Sequence, residues 1–89
     1  MIVREVAVRN RLGLHARAAA RFVQTASRFR SQVVVVSEGR RRDGKSILGV
    51  LLLAAAQGSR LTLEVDGPDE EKAVTALHEL VAGGFGEET

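Results

Sequence analysis

His15 and Arg17 are the residues of this 89-residue chain whose types and spacing first suggest chemistry. His15 lies between a loop carrying Gly13 and an apolar periodicity that begins at Ala16, so it stands at the start of a predicted helix. The first backbone N–H groups of a helix have no partner within it and point outward, which suits the oxygens of a phosphoryl group attached to the imidazole. Arg17 can add a charge-assisted contact to the same oxygens. A neutral ring nitrogen of His15 would be the nucleophile. Such a site holds a nucleophile and an anion cradle, and a partner must bring the second substrate. The plainer reading is a histidine that simply occupies a loop.

Ser46 is the second candidate. It stands just before the apolar run Ile47 to Ala55, where its hydroxyl can cap a helix by accepting from a free backbone N–H, and Gly58 offers a stop. Ile47, Leu48 and Leu51 crowd one short helix and cannot all face a core, so those left outside can form an apolar docking patch. Val50, Leu53 and Ala54 are expected to be buried. The stretch Gly39-Arg40-Arg41-Arg42-Asp43-Gly44-Lys45-Ser46 also satisfies the phosphate-binding P-loop pattern. A nucleotide-hydrolysing domain of that kind needs a larger parallel sheet than this chain can supply.

These residues need elements to position them. Ile2 to Val8 is rich in β-branched residues and reads as a strand. Ala16, Ala19, Ala20, Val23 and Ala26 recur at helical spacing with Arg17, Arg21, Gln24 and Arg28 on the other side. Gln32 to Ser37, with four consecutive valines, predicts a second strand, and a short third follows among Arg40 to Asp43. Arg60 to Asp66 alternates, with Leu61, Leu63 and Val65 on one face and Thr62, Glu64 and Asp66 on the other. Asp69 can cap a last helix with Glu70 and Glu71 in its first turn; Ala73, Val74, Leu77, Leu80 and Val81 form its inward stripe. Gly83 and Gly84 end it, and the tail with Glu87 and Glu88 is expected to be loose. The order βαββαβα predicts an α+β fold, a four-stranded antiparallel sheet with its helices on one face.

Composition bounds the rest. The length predicts one domain, residues 1–89. With 45% hydrophobic and 27% charged residues the chain has the mix of an ordinary globule. The absence of cysteine removes disulfides and thiolate sites and is compatible with a reducing cytoplasm. Two distant histidines without cysteine make a metal site poorly supported, and no other cofactor is suggested. Arg4 and Glu5 interrupt the N-terminal segment before any export signal can form, and Ile47 to Ala56 is too short to cross a bilayer. Residues 1–60 carry twelve Lys or Arg against three acids, whereas residues 61–89 carry one Lys against eight. That basic field would suit an acidic protein surface or a nucleic acid. A small RNA-binding module of βαββαβ type is the rival reading. Its sheet would need aromatics for base stacking, and Phe22, Phe29 and Phe85 lie outside the predicted strands.

Leu12-Gly13-Leu14-His15-Ala16-Arg17, followed by Ala19-Ala20-Arg21-Phe22-Val23, resembles the active-site motif of the HPr family. Gly44-Lys45-Ser46-Ile47-Leu48-Gly49-Val50 is similar to the family's second signature, and the likeness covers nearly the whole chain. The resemblance implies an open-faced β-sandwich and a phosphocarrier of the bacterial phosphotransferase system. It also implies that His15 is phosphorylated by Enzyme I and donates to IIA proteins or domains, with Arg17 stabilising the phosphoryl group. Ala16, Ala20, Ile47, Leu48 and Leu51 would be the partner-docking residues. Ser46 matches a serine that HPr kinase/phosphorylase modifies in many members. A cytoplasmic monomer, without nucleic acid or membrane insertion, is expected. One departure is Ala18, where most members have proline; an N-terminal helix position accepts either.

Overall fold

The computed structural model describes residues 1–87. In chain order the elements are β1 (Ile2–Ala7), α1 (Ala16–Ser27), β2 (Gln32–Ser37), β3 (Arg40–Asp43), α2 (Ile47–Leu52), β4 (Arg60–Asp66) and α3 (Glu70–Ala82), followed by a 3₁₀ turn at Gly84–Gly86. The strands form one antiparallel sheet in the order β1-β4-β2-β3. This is the predicted βαββαβα architecture, with the helices against one face of the sheet.

The period-two alternation of β4 decides which face is covered. Leu61, Leu63 and Val65 are fully buried, and register sets Val65 between Ile2 and Val33 and Leu63 beside Val35. The opposite face carries Val3, Glu5, Thr62, Glu64, Val34, Val36 and Arg41 and contains no aromatic. There Arg41 pairs with Glu64 at 2.8 Å, and Arg60 pairs with Glu5 at 2.7 Å. A face with neither stacking rings nor uncompensated charge at these arginines is unsuited to single-stranded RNA. The P-loop pattern dissolves as well, because Arg40–Asp43 is a strand hydrogen-bonded antiparallel to β2 and not a loop wrapped around phosphates.

The helices depart from expectation in ways that have local causes. In α1 the buried residues are Ala18, Ala19, Phe22, Val23 and Ala26, whereas Ala16 is exposed and Ala20 half-buried. Phe22 sets the rotation of the helix, because its large apolar surface outweighs the small gain from any one alanine. Helix α2 stops at Leu52, short of the predicted Ala55; Ala54 takes φ +50 and is exposed, not buried. The Ala55 carbonyl is used elsewhere, accepting from the Leu14 N–H at 2.9 Å, which ties the end of α2 to the loop before α1. In α3, Ala73, Val74, Leu77 and Val81 are buried as predicted, and Leu80 is only half-buried.

Asp69 occupies the N-cap position of α3 but makes no side-chain bond to that helix. Its carboxylate accepts from the backbone N–H groups of Arg30 and Ser31 and from the Ser31 hydroxyl. The tail is not loose through Glu87. Phe85 is 1% exposed within the core, and Glu87 is hydrogen-bonded to Asn10 and His15. Glu88 lies outside the described residues.

Candidate functional site

The loop that delivers His15 is built by a short tie. Asn10, fully buried, donates from Nδ2 to the Gly13 carbonyl at 2.8 Å, and the Gly13 N–H returns a bond to the Asn10 carbonyl at 3.2 Å. Gly13 has φ +65, and a Cβ there would lie 2.3 Å from the Ala55 carbonyl oxygen. No other residue fits without moving the backbone. Leu14 is buried, which anchors the loop one residue before the histidine.

His15 is the N-cap of α1, with extended backbone and its Nδ1 accepting from the Arg17 N–H at 3.3 Å. A nitrogen that accepts carries a lone pair, so the hydrogen-bond pattern assigns the ring proton to Nε2. Nε2 meets Glu87 Oε2 at 2.5 Å. Nδ1 therefore faces the free amides at the start of α1, and its lone pair lies where a phosphoryl group bonded to it would be cradled by them. The first turn of α1 contains no acid to compete for those amides.

Around the ring lies a pocket of about 750 Å³ lined by Arg11, Leu12, His15, Ala16, Arg17, Arg21, Gly86 and Glu87. Arg17 is exposed and forms no ion pair among the described residues, so its guanidinium is available to an anion. Arg21, one helical turn later, donates to the Phe85 carbonyl and pins the tail. Burial opposes ionisation of Glu87, but the hydrogen bonds from Asn10 and His15, with the charge of Arg21, hold its carboxyl below the ordinary value.

His15 and Arg17 are thus brought together as the sequence predicts, with Ala16 on the rim. Ser46 caps α2 as predicted, accepting from the Gly49 N–H at 3.1 Å. Ile47 and Leu48 are 46% and 66% exposed, Leu51 is half-buried against the core, and Leu52, which sequence reasoning passed over, is 52% exposed. Ala18, the third residue of α1, is fully buried; its N–H belongs to the unpartnered first turn, so proline there would cost no helical bond. Sequence reasoning missed Asn10, Arg21 and Glu87 as neighbours of the ring. Arg21 is four residues after Arg17 and shares its helix face, a signal that was present. Glu87 is distant in sequence; Phe85, an apolar residue amid Gly83, Gly84 and Gly86, was the hint that the tail docks.

Comparison with known proteins agrees with this geometry. Residues 2–83 match the family model described as the PTS HPr component phosphorylation site. The chain is 53% identical over 87 residues to the phosphocarrier protein HPr of Cupriavidus necator, covering 98% of each. Its structure is similar to that of HPr from Thermoanaerobacter tengcongensis, with a TM-score of 0.95 at 44% identity and full coverage of both chains. It is also similar to a dimeric HPr structure from the same organism, with a TM-score of 0.78 at 45% identity, covering 92% of this chain and 94% of that one. The chain belongs to the HPr family, the phosphocarrier proteins of the phosphotransferase system.

Proposed function

We propose that His15 accepts a phosphoryl group from Enzyme I and passes it to IIA proteins or domains, the chain serving as a carrier and not as an enzyme. The observation that supports this most strongly is the placement of His15 Nδ1, which accepts from the Arg17 N–H at the head of an acid-free helix start. In the forward step the Nδ1 lone pair forms a bond to phosphorus while the donor's bond to phosphorus breaks, its electron pair staying with the donor. Amides at the α1 start and the Arg17 guanidinium hold the phosphoryl oxygens during transfer. The acceptor then repeats the displacement in the opposite sense, so the group is held at a site open to each partner in turn.

The test is incubation with Enzyme I and phosphoenolpyruvate, followed by intact mass and acid treatment. One acid-labile phosphate on His15 is expected, and no adduct with an active Enzyme I would overturn the reading.

The same reading includes finer roles. Ala16 and Ala20 on α1, with Ile47, Leu48 and Leu51 on α2, form the partner-docking surface, supported by the exposure of Ile47 and Leu48. Ser46 is a site for HPr kinase/phosphorylase, where the modification would add charge near partner-facing residues and oppose acidic surfaces. Mass spectrometry of protein from native cells grown on several carbon sources tests this, and a Ser46 that never carries phosphate counts against it. The carrier acts as a cytoplasmic monomer, one domain of residues 1–89, in a sugar or nitrogen-related branch. Sedimentation of the protein at working concentration tests the monomer, since the Thermoanaerobacter tengcongensis dimer shows that the fold can also pair.

A further inference from the structure

The nitrogen of His15 that does not face the helix start is held by a group from the far end of the chain. Glu87 Oε2 lies 2.5 Å from Nε2, and Glu87 Oε1 accepts from Asn10 Nδ2 at 2.9 Å. Asn10 is fully buried and also holds the Gly13 carbonyl, so it fixes the carboxylate and the histidine loop together. Its Oδ1 is buried without a partner among the described residues. A buried amide left half-satisfied is costly to the fold, and its remaining bonds are those that serve this arrangement.

The tail is anchored before it reaches the ring. Phe85 is buried at φ +58, a conformation that disfavours a side chain, and Arg21 donates to its carbonyl. Gly84 at φ +68 passes 3.7 Å from Asn10 Cβ, measured from the position its own Cβ would take. A strained residue persists where its surroundings over-determine it, and here they bring the carboxylate of Glu87 to Nε2.

We propose that Glu87, itself held by Asn10, is a positioning residue that keeps the His15 proton on Nε2 and so keeps the Nδ1 lone pair directed at the phosphoryl site. This rests on His15 as the phosphoryl acceptor. When Nδ1 bonds to phosphorus the ring retains Nε2–H and becomes positive, and the Glu87 carboxylate offsets that charge. A carboxylate behind a histidine does the same in triads, where it sets the tautomer and stabilises the imidazolium without acting on substrate. Arg11, Arg17 and Arg21 line the same pocket and leave Glu87 as the carboxylate placed for that role among the described lining residues.

The experiment is nitrogen-15 NMR of the His15 ring in the wild-type chain, Glu87→Ala and Glu87→Gln, beside the rate of phosphorylation by Enzyme I. The wild type is expected to show the Nε2–H tautomer. Glu87→Ala should add a clear Nδ1–H population and slow phosphoryl acceptance by about tenfold, the scale typical of losing a group that orients a reactive histidine. Glu87→Gln, whose one amide oxygen is claimed by Asn10 Nδ2, turns its NH2 toward Nε2 and should favour the Nδ1–H tautomer, slowing acceptance at least as much as Glu87→Ala. A Glu87→Ala ring indistinguishable from wild type, with unchanged acceptance, would overturn the proposal. A wild-type chain that takes no phosphate at His15 would instead sink the carrier reading, while the ring spectra would still decide whether Glu87 sets the tautomer.

Discussion

The starts of α1 and α3 present the same physics with opposite occupants. Each exposes unpaired amides and the positive end of a helix dipole. At α3 the chain supplies its own anions: Glu70 and Glu71 sit in the first turn, and Glu70 accepts from the Gly67 N–H at 3.1 Å and meets the N-terminal ammonium at 3.3 Å. Asp69 at the same corner ties α3 to the segment before β2 through three bonds. At α1 the first turn holds no acid, and the cap is a single 3.3 Å contact to an imidazole nitrogen. The helix start whose anions are built in serves the fold; the one left without them is free to bind an anion brought from outside.

The sharpest way to separate the two is to remove the proposed nucleophile. His15→Ala should abolish phosphoryl acceptance, checked by intact mass after incubation with Enzyme I and phosphoenolpyruvate. It should cost about 1–3 kcal/mol of stability, since the long cap is lost and the Glu87 carboxylate loses its partner. Ala16→Glu would make the α1 start resemble that of α3. The new carboxylate should stabilise the helix by about 0.3–1 kcal/mol through the dipole, and slow phosphoryl acceptance by about tenfold or more by occupying and repelling at the cradle. Urea unfolding and phosphorylation rate should therefore move in opposite senses. A variant that lost both stability and rate would break the comparison, because the α1 start would then not behave as a dipole end. Arg17→Ala should slow acceptance by about tenfold through loss of a charged donor, with stability nearly unchanged.

The α3 corner makes a prediction in pH. The hydrogen bonds from the Ser31 hydroxyl and the Arg30 N–H, helped by the Ser31 N–H, lower the Asp69 carboxyl from 3.8 to about 2. A depressed folded-state value means that the contribution to stability is complete above the unfolded value and is lost as pH falls through the folded one. Urea midpoints should therefore decline between about pH 4 and pH 2 in the wild type. Asp69→Asn should flatten much of that decline and leave His15 phosphorylation unchanged. If acceptance fell as well, the two helix starts would be coupled and would not divide into one for the fold and one for an incoming anion.

The parts of this division written in local pattern were legible before the structure. The alternation of Leu61, Leu63 and Val65 declared a sheet face, and the loop ending at Gly13 and His15 declared a helix start without acids. What escaped was set by tertiary contact. Asp69 has the residue type and place of a cap, but the nearby Ser31 and Arg30 amides claim its carboxylate, and no spacing within α3 foretells this. The end of α2 is decided by the Ala55 carbonyl bonding to Leu14, a contact across the chain. Glu87 resembles a solvated terminal acid until Phe85 is seen to be buried; its meeting with His15 depends on the length of the turn after α3.

Helix α2 provides the smallest and most discriminating effect, because its start lies between the other two in character. Ser46 accepts from the Gly49 N–H at 3.1 Å, which is a neutral cap on a helix of six residues with no acid in its first turn. Ser46→Ala should cost about 1 kcal/mol, visible as a lower urea midpoint, and should leave acceptance at His15 unchanged. Ser46→Asp keeps a capping oxygen and adds charge that the dipole favours, so its stability should return to within a few tenths of a kcal/mol of wild type. If acceptance nevertheless falls in Ser46→Asp and not in Ser46→Ala, the effect cannot come from the helix start itself. It must arise where the new charge faces a partner, which would place the α2 start, unlike that of α3, on the functional side of the molecule.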